Sequence, residues 1–304
     1  MQTTSHHHWL KPHHLALLVF INLIWGLNLL TIKFGVREIP PVLFATLRLA
    51  FMLMVCLPWL RWFPGQMRNL FMVALLTGAG GFGFLALGLS LSRDVSTVAI
   101  FTQLLVPFST LLSVWMLGEV IHWRRKTGIA LAFLGVFIIG FDPRAFGYLP
   151  GLMCIVLQCL TAALGMIYVK RLRGVHVMQL QAWIAVMALP VLLALSLLVE
   201  QGQLAAVQSA SYIAWGAVLF ATIGSSLIGQ TVFFYLLKRY PVSSVAPLTV
   251  LQVIFGMIAG VLVNHDVLTG RMLLGGLLTL AGVLIIELRT RSSVVPEDAT
   301  EAGK

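Results

Sequence analysis

Charge is what this chain has least of. Of 304 residues only 10% are Asp, Glu, Lys or Arg, against 59% hydrophobic, and the mean hydropathy is +0.97. A soluble domain carries about 25% charged residues. A chain this apolar cannot coat a water-facing surface with polar side chains, so its solvent is largely lipid. Two soluble domains, which the length alone would suggest, are excluded. Acids are scarcer than bases, ten against twenty, for a net charge of +10. The basic residues are scattered in short loops rather than massed on one face, which argues against a nucleic-acid-binding module. Cysteine is nearly absent: Cys56, Cys154 and Cys159 lie in apolar runs and read as small buried hydrophobes, not as disulfides or metal ligands. Catalytic signatures are missing as well. There is no His-Glu-x-x-His, no pair of aspartates and no phosphate-binding loop, so neither a zinc protease nor an ATPase is supported, and no cofactor is expected. No Asp or Glu lies deep in an apolar run, so an evident proton relay is missing too.

What the chain has instead is long apolar runs. A bilayer-spanning helix needs about 20 mostly apolar residues, and ten runs of that kind lie at 14–34, 41–60, 69–91, 95–118, 126–142, 148–169, 179–200, 211–237, 242–263 and 270–288. Pro40-Pro41 enters the second run, and Arg61, Pro64-Gly65, Arg93-Asp94 and Lys238-Arg239-Tyr240-Pro241 fall between runs. The first run is too long for a cleavable signal and contains Trp25 and Asn28. His6-His7-His8 with His13-His14 reads as a solvated tail or a cloning remnant before a metal site. The polar stretch 290–304 is expected to be disordered.

The runs are organised by a duplication. Val95-Ser96-Thr97-Val98-Ala99 overlays Val242-Ser243-Ser244-Val245-Ala246, and the match continues without a gap to Ile139 and Ile286. Identical pairs include Thr102/Thr249, Phe108/Phe255, Arg124/Arg271, Gly128/Gly275 and Gly135/Gly282. Apolar composition produces chance matches at Val and Leu but not readily an Arg, two Gly and a polar opening in one frame. With the N-terminus inside, cytoplasmic segments carry fourteen Lys and Arg and outer segments five, so both termini are expected to be cytoplasmic. Arg124-Arg125-Lys126 in the first copy becomes Arg271-Met272-Leu273 in the second, the difference expected if the copies lie on opposite faces. Five spans per copy force the second to insert upside down. Inverted repeats of this kind recur in secondary transporters, which open to each side in turn around a site near the midplane. The expected layout is a tail at 1–13, a first five-helix repeat at 14–142, a second at 148–289 and the tail at 290–304.

Several motifs carry a resemblance to a family. Trp25-Gly26-x-Asn28 with Lys33, and Pro41-x-x-x-Ala45-x-x-Arg48, resemble the opening of EamA-family carriers of the drug/metabolite transporter superfamily. Val95 to Gly118-Glu119 and Gly128-x-x-Leu131-x-x-x-Gly135-Val136 resemble its repeat core, and Gly229-x-x-x-Phe233-Phe234-Tyr235-x-Leu237 before Val242 its second copy. The resemblance implies a multi-pass carrier of the bacterial inner membrane, often an exporter of amino acids or related metabolites. In place of Gly118-Glu119 the second copy has His265-Asp266, which keeps the acid but changes its neighbour.

The candidate site residues are the polar points of the runs. Arg48 lies seven residues after Pro41, roughly 10 Å into its span at 1.5 Å per residue. It reads either as a cavity cation for a substrate carboxylate or as an Arg snorkelling or bonding neighbouring carbonyls. Trp25 and Asn28 share one helix face and suit an amino acid or a flat organic ligand, or else a helix–helix hydrogen bond beside a packed indole. Pro107 frees the carbonyl of Gln103 and is expected to kink its helix. Gln158, Gln230 and Gln252 are interhelical glue or ligand contacts, and Tyr168 and Tyr235 are belt residues or hydroxyl donors. Glu119 and Asp266 read as a loop ion pair or a gate. Gly78, Gly80, Gly81, Gly83 and Gly88 read as close helix contact.

The reading is an all-α polytopic membrane protein of ten spans in two inverted halves, moving a small organic solute by alternating access, with outward transport of an amino acid or similar metabolite expected. Import of a metabolite or efflux of drugs by the same fold is the alternative, and an integral membrane enzyme or scaffold a more distant one. The expected partners are a small-molecule substrate and the bilayer, without nucleic acid; a homodimer is compatible with the sequence.

Overall fold

The computed structural model describes residues 11–118, 120–237, 239–240 and 245–288. Glu119, the leading His6-His7-His8 and the tail 290–304 lie outside the described residues. Within them all regular structure is helical. Eight helices are 18 residues or longer and apolar enough to cross a bilayer. They are α1 (Pro12–Glu38), α2 (Pro41–Trp59), α3 (Met67–Leu91), α4 (Val95–Met116), α6 (Leu149–Lys170), α7 (Val177–Val199), α8 (Tyr212–Leu236) and α10 (Gly270–Glu287). Two more complete the ten places that the sequence marks. α5 (Trp123–Gly140) is 18 residues long and carries Arg124, Arg125 and Lys126 in its first turn, and α9 (Leu248–Val263) is apolar but shorter.

Local chemistry sets the boundaries. α1 and α2 both open with proline at the start, where its missing N–H costs nothing. Between them Ile39 is extended (φ −106°, ψ 127°), as a residue before proline must be. Gly118 stops α4 in a left-handed conformation (φ +70°) that a β-carbon would disfavour. α7 opens with a reciprocal cap between His176 and Gln179.

The duplication is visible as a pseudo-two-fold axis. α5 and α10 are repeat mates and pack antiparallel along glycine faces. A β-carbon on Gly128 would lie 2.8 Å from the Gly282 carbonyl oxygen, and one on Gly282 would lie 2.5 Å from that of Gly128. Gly135 and Gly275 meet in the same reciprocal way. At the centre, Thr279 bonds its own helix at Gly275 O (2.8 Å) and reaches the carbonyl of Ala132, its repeat mate, at 3.5 Å. A patch that contacts its own copy in this isologous manner is what a two-fold relation requires.

The symmetry extends to irregular backbone. α3 and α8 both widen into π-helix, at Ala74–Phe82 and Phe220–Gly229. The frame that carries Val95 onto Val242 also carries Ala74 onto Ala221 and Phe82 onto Gly229. α4 breaks into 3-10 helix at Thr102–Leu104, just ahead of Pro107, and the chain entering α9 does so at Ala246–Val250. α3, α4 and α8 are thus interrupted within their length, and α9 opens in 3-10 helix close to the place matched to the break in α4. In a membrane such backbone is tolerated where protein or water covers it, and π segments are frequent at functional sites.

The α3 glycines provide close approach. Gly78 faces Ala188 and Ile184 of α7, while Gly80 and Gly88 face Thr161 and Ile155 of α6.

Candidate substrate site

The irregular segments hold or border several polar residues of the interior. Arg48 of α2 is 4% exposed. Its Nη2 donates to the Ser226 hydroxyl at 2.8 Å, and its guanidinium carbon lies 4.0 Å from the centre of the Phe82 ring. Ser226 and Phe82 belong to the two matched π segments, so Arg48 is set between them. Its Nε is buried without a partner. No carboxylate pairs with it among the described residues. A buried cation held by one hydroxyl and one ring face is under-satisfied, because burial of an ion is offset only by several good hydrogen bonds.

Trp25 of α1 reaches the same π segment from the other side. Its Nε1 donates to the Ser225 carbonyl at 3.2 Å, and its ring meets Phe233 edge-on at 5.4 Å. Gly229 makes the room: a β-carbon there would lie 2.5 Å from Trp25 Nε1. The next residue of α1, Gly26, lies against α9, where a β-carbon would be 2.7 Å from the Gln252 carbonyl. The backbone before Gln230 and the Gln252 carbonyl thus pack against successive residues of α1. Both glutamines are half-buried.

Asn28, one turn on, is 5% exposed, and its Oδ1 has no partner. Gln103 lies in the 3-10 break of α4, is 3% exposed, and its Nε2 has no partner. Gln158 of α6 is brought beside that break, because the thiol of its neighbour Cys159 donates to the carbonyls of Phe101 (3.5 Å) and Thr102 (3.4 Å). Native proteins seldom leave buried polar atoms unpaired, so each such atom calls for an explanation.

Asp266 sits elsewhere, at the end of the bundle away from the start of α1. It accepts from the Ser96 amide (2.6 Å), the Ser96 hydroxyl (2.7 Å) and Asn264 (2.6 Å). Glu119 lies outside the described residues. Lys33 of α1 turns its ammonium to the carbonyls of Leu89 (2.8 Å) and Ser92, the C-terminal end of α3. Tyr148 donates to Asp94 at 2.7 Å, and burial and that bond push its hydroxyl well above the usual tyrosine range. Burial pushes the Asp142 carboxyl up, but bonds from Thr269 and the Arg144 amide, with the charges of Arg271 and Arg144, outweigh it and leave the group below its ordinary value.

Ser225, Ser226 and Phe82 carry no mark in the sequence analysis, and Gly229 and Phe233 enter it only through the motif that resembles the family's second copy. Two adjacent serines in the middle of α8 were the available signal. An apolar groove of about 560 Å³ runs between α1 and α8, lined by Phe20, Leu23, Leu27, Phe220, Ile223 and Ile228. It holds none of the candidate residues, and its exposed apolar walls mark it as lipid-facing.

A ten-helix body with matched interrupted helices and unspent polar atoms inside defines a membrane transporter. The chain belongs to the EamA-like transporter family, which matches residues 14–141 and again 149–288. Among curated proteins it is 29% identical to a probable amino-acid metabolite efflux pump of Escherichia coli (strain K12), over 93% of this chain and 98% of that one. It is 28% identical to a protein of the same description from Salmonella typhimurium, over 90% and 94%. A solved crystal structure shares the fold, with a TM-score of 0.58 at 18% identity, covering 93% of this chain and 99% of that one. The protein is therefore a multi-pass transporter of small molecules and not an enzyme.

Proposed function

We propose that this transporter exports an amino acid or a closely related small metabolite across the bacterial inner membrane by alternating access. The observation that carries the reading is Arg48, buried between two repeat-related π segments with donor capacity unspent. In this reading the Arg48 guanidinium and the Gln103 amide donate to the substrate carboxylate, and Asn28 Oδ1 accepts from its ammonium. Trp25 and Phe82 supply flat walls. Gln158, Gln230 and Gln252 line the space and hydrogen-bond a polar side chain. The roles follow from what each atom lacks: two donors without acceptors and one acceptor without a donor suit a zwitterion. The names of the two bacterial relatives support the substrate class and the outward direction. The positive-inside bias supports a cytoplasmic location for both termini.

Purified protein in proteoliposomes tests this against a panel of labelled amino acids. Saturable flux of at least one zwitterionic amino acid is expected, inhibited by amino acids and not by the corresponding amines lacking a carboxylate. Equal inhibition by the amines overturns the role given to Arg48.

A further inference from the structure

The end of the bundle away from the start of α1 is built from carboxylates that reach across the boundary between the two halves. Asp266, between α9 and α10, accepts from the amide and hydroxyl of Ser96 in the first turn of α4. Glu200, after α7, accepts from the Val42 (2.7 Å) and Leu43 (2.9 Å) amides in the first turn of α2. Glu38, at the end of α1, accepts from the amide (2.7 Å) and hydroxyl (2.8 Å) of Ser211, which caps α8. Asp142, after α5, accepts at 2.5 Å from Thr269, whose hydroxyl in turn takes the Met272 amide in the first turn of α10. In each of the four, the acid belongs to one half and the donor to the other. Carboxylates at helix N-termini make strong, charge-assisted bonds. Among the described residues, the bonds across the halves at the opposite end include His14 to Tyr240, Lys170 to the Ser113 hydroxyl, Gln66 to Arg173 and Trp183 to the Arg61 carbonyl.

The Asp266 contact is accommodated by its surroundings. A β-carbon on Gly260 of α9 would lie 2.5 Å from the Ser96 hydroxyl and would also strike Asp266 Oδ2, so the bare glycine leaves room for the pair. Arg37 of α1 holds the neighbouring Asn264 at 2.8 Å. From Ser96, α4 runs as an α-helix only to Phe101 before the 3-10 break at Thr102–Leu104.

We propose that these four carboxylates form the outer gate of the carrier, with Asp266 its main latch. Closed, they fasten each half to the helix N-termini of the other. When Asp266 releases Ser96, the short segment Val95–Phe101 pivots on the break that contains Gln103, which opens the site to the outside. The gate thus acts on a residue of the substrate site through one helix segment. This inference rests on the carrier reading above, and its test reads the gate without any substrate.

The three native cysteines are replaced by serine and a single probe is placed by Gln158→Cys. Right-side-out membrane vesicles are treated with a membrane-impermeant charged thiol reagent. With the gate intact, external labelling is slow. Asp266→Ala is expected to speed it about tenfold, the factor set by losing a charge-assisted hydrogen bond, and Asp266→Glu to fall between. Should Asp266→Ala fail to fold, as judged by its elution as a single species in detergent, Ser96→Ala removes only the hydroxyl bond and is expected to move labelling the same way by a smaller factor. Labelling unchanged in the folded variants overturns the gate even if amino-acid flux is found. Faster labelling in the probe variants, with no amino-acid flux through the wild-type protein in proteoliposomes, keeps the gate and removes the substrate assignment.

Discussion

Replacing Gly282 with alanine tests the pseudo-two-fold contact directly. The added carbon would lie 2.5 Å from both the Gly128 carbonyl oxygen and the Ala132 amide nitrogen. Ordinary contact begins at 3.4 Å, so α5 and α10 must part by close to an ångström. Both obstacles are backbone atoms and cannot rotate aside. Overpacking of this kind costs about 1–3 kcal/mol, and a value of 2 kcal/mol changes the folded-to-unfolded ratio about thirtyfold. The two-fold relation demands the same sign from the mate: Gly128→Ala would place its carbon 2.8 Å from the Gly282 oxygen. Gly216→Ala on α8 is the control, since nothing lies within 4 Å of its added carbon, and removing a helical glycine gains about 0.5–1 kcal/mol. Reversible unfolding of the purified protein in mixed micelles, followed by circular dichroism, measures all three. Stability of both Gly282→Ala and Gly128→Ala equal to the parent would refute the packing argument.

Arg48→Ala is expected to abolish proteoliposome flux while membrane expression stays normal, and Arg48→Lys, which keeps the charge but loses the planar fork, to raise KM by about tenfold or more; wild-type flux in Arg48→Ala removes the assignment. Gly229→Ala pushes the Trp25 indole out of its seat, where the added carbon would lie 2.5 Å from Nε1, and is expected to shift indole fluorescence and lower kcat with the fold retained. Asp142 has a carboxyl held below its unfolded value. Its contribution to stability is therefore complete above about pH 4 and lost as pH falls through the lower native value. The melting-temperature difference between wild type and Asp142→Asn should shrink on acidification, and a difference independent of pH contradicts the account.

The scaffold was legible because lipid imposes long apolar runs and a duplication leaves paired residues behind. The same frame that matched Gly128 to Gly275 turned out to run along the seam between α5 and α10. α5 itself starts at Trp123 rather than 126, since Arg124, Arg125 and Lys126 form its first turn and hydropathy alone discounts them. Arg48 stood out because a cation inside an apolar run is costly wherever it points. Its partners were not legible. π-helix leaves no mark in residue spacing, so nothing told the reader that Ser226 and Phe82 would meet one guanidinium. The carboxylates Glu38 and Glu200 carry no mark in the sequence, since a helix cap supplied from the other half depends on tertiary proximity alone. Asp266 was singled out for its place in the repeat as an ion-pair or gate residue, yet the donors it bonds are the amide and hydroxyl of Ser96 and the amide of Asn264.

Exchange of amino acid across proteoliposomes, compared with net efflux, tests the carrier account most directly. One site that visits each side in turn predicts that unlabelled substrate outside accelerates loss of labelled substrate from inside, and that Arg48→Ala abolishes both fluxes. Efflux that does not saturate, is indifferent to external substrate, or survives Arg48→Ala would contradict it.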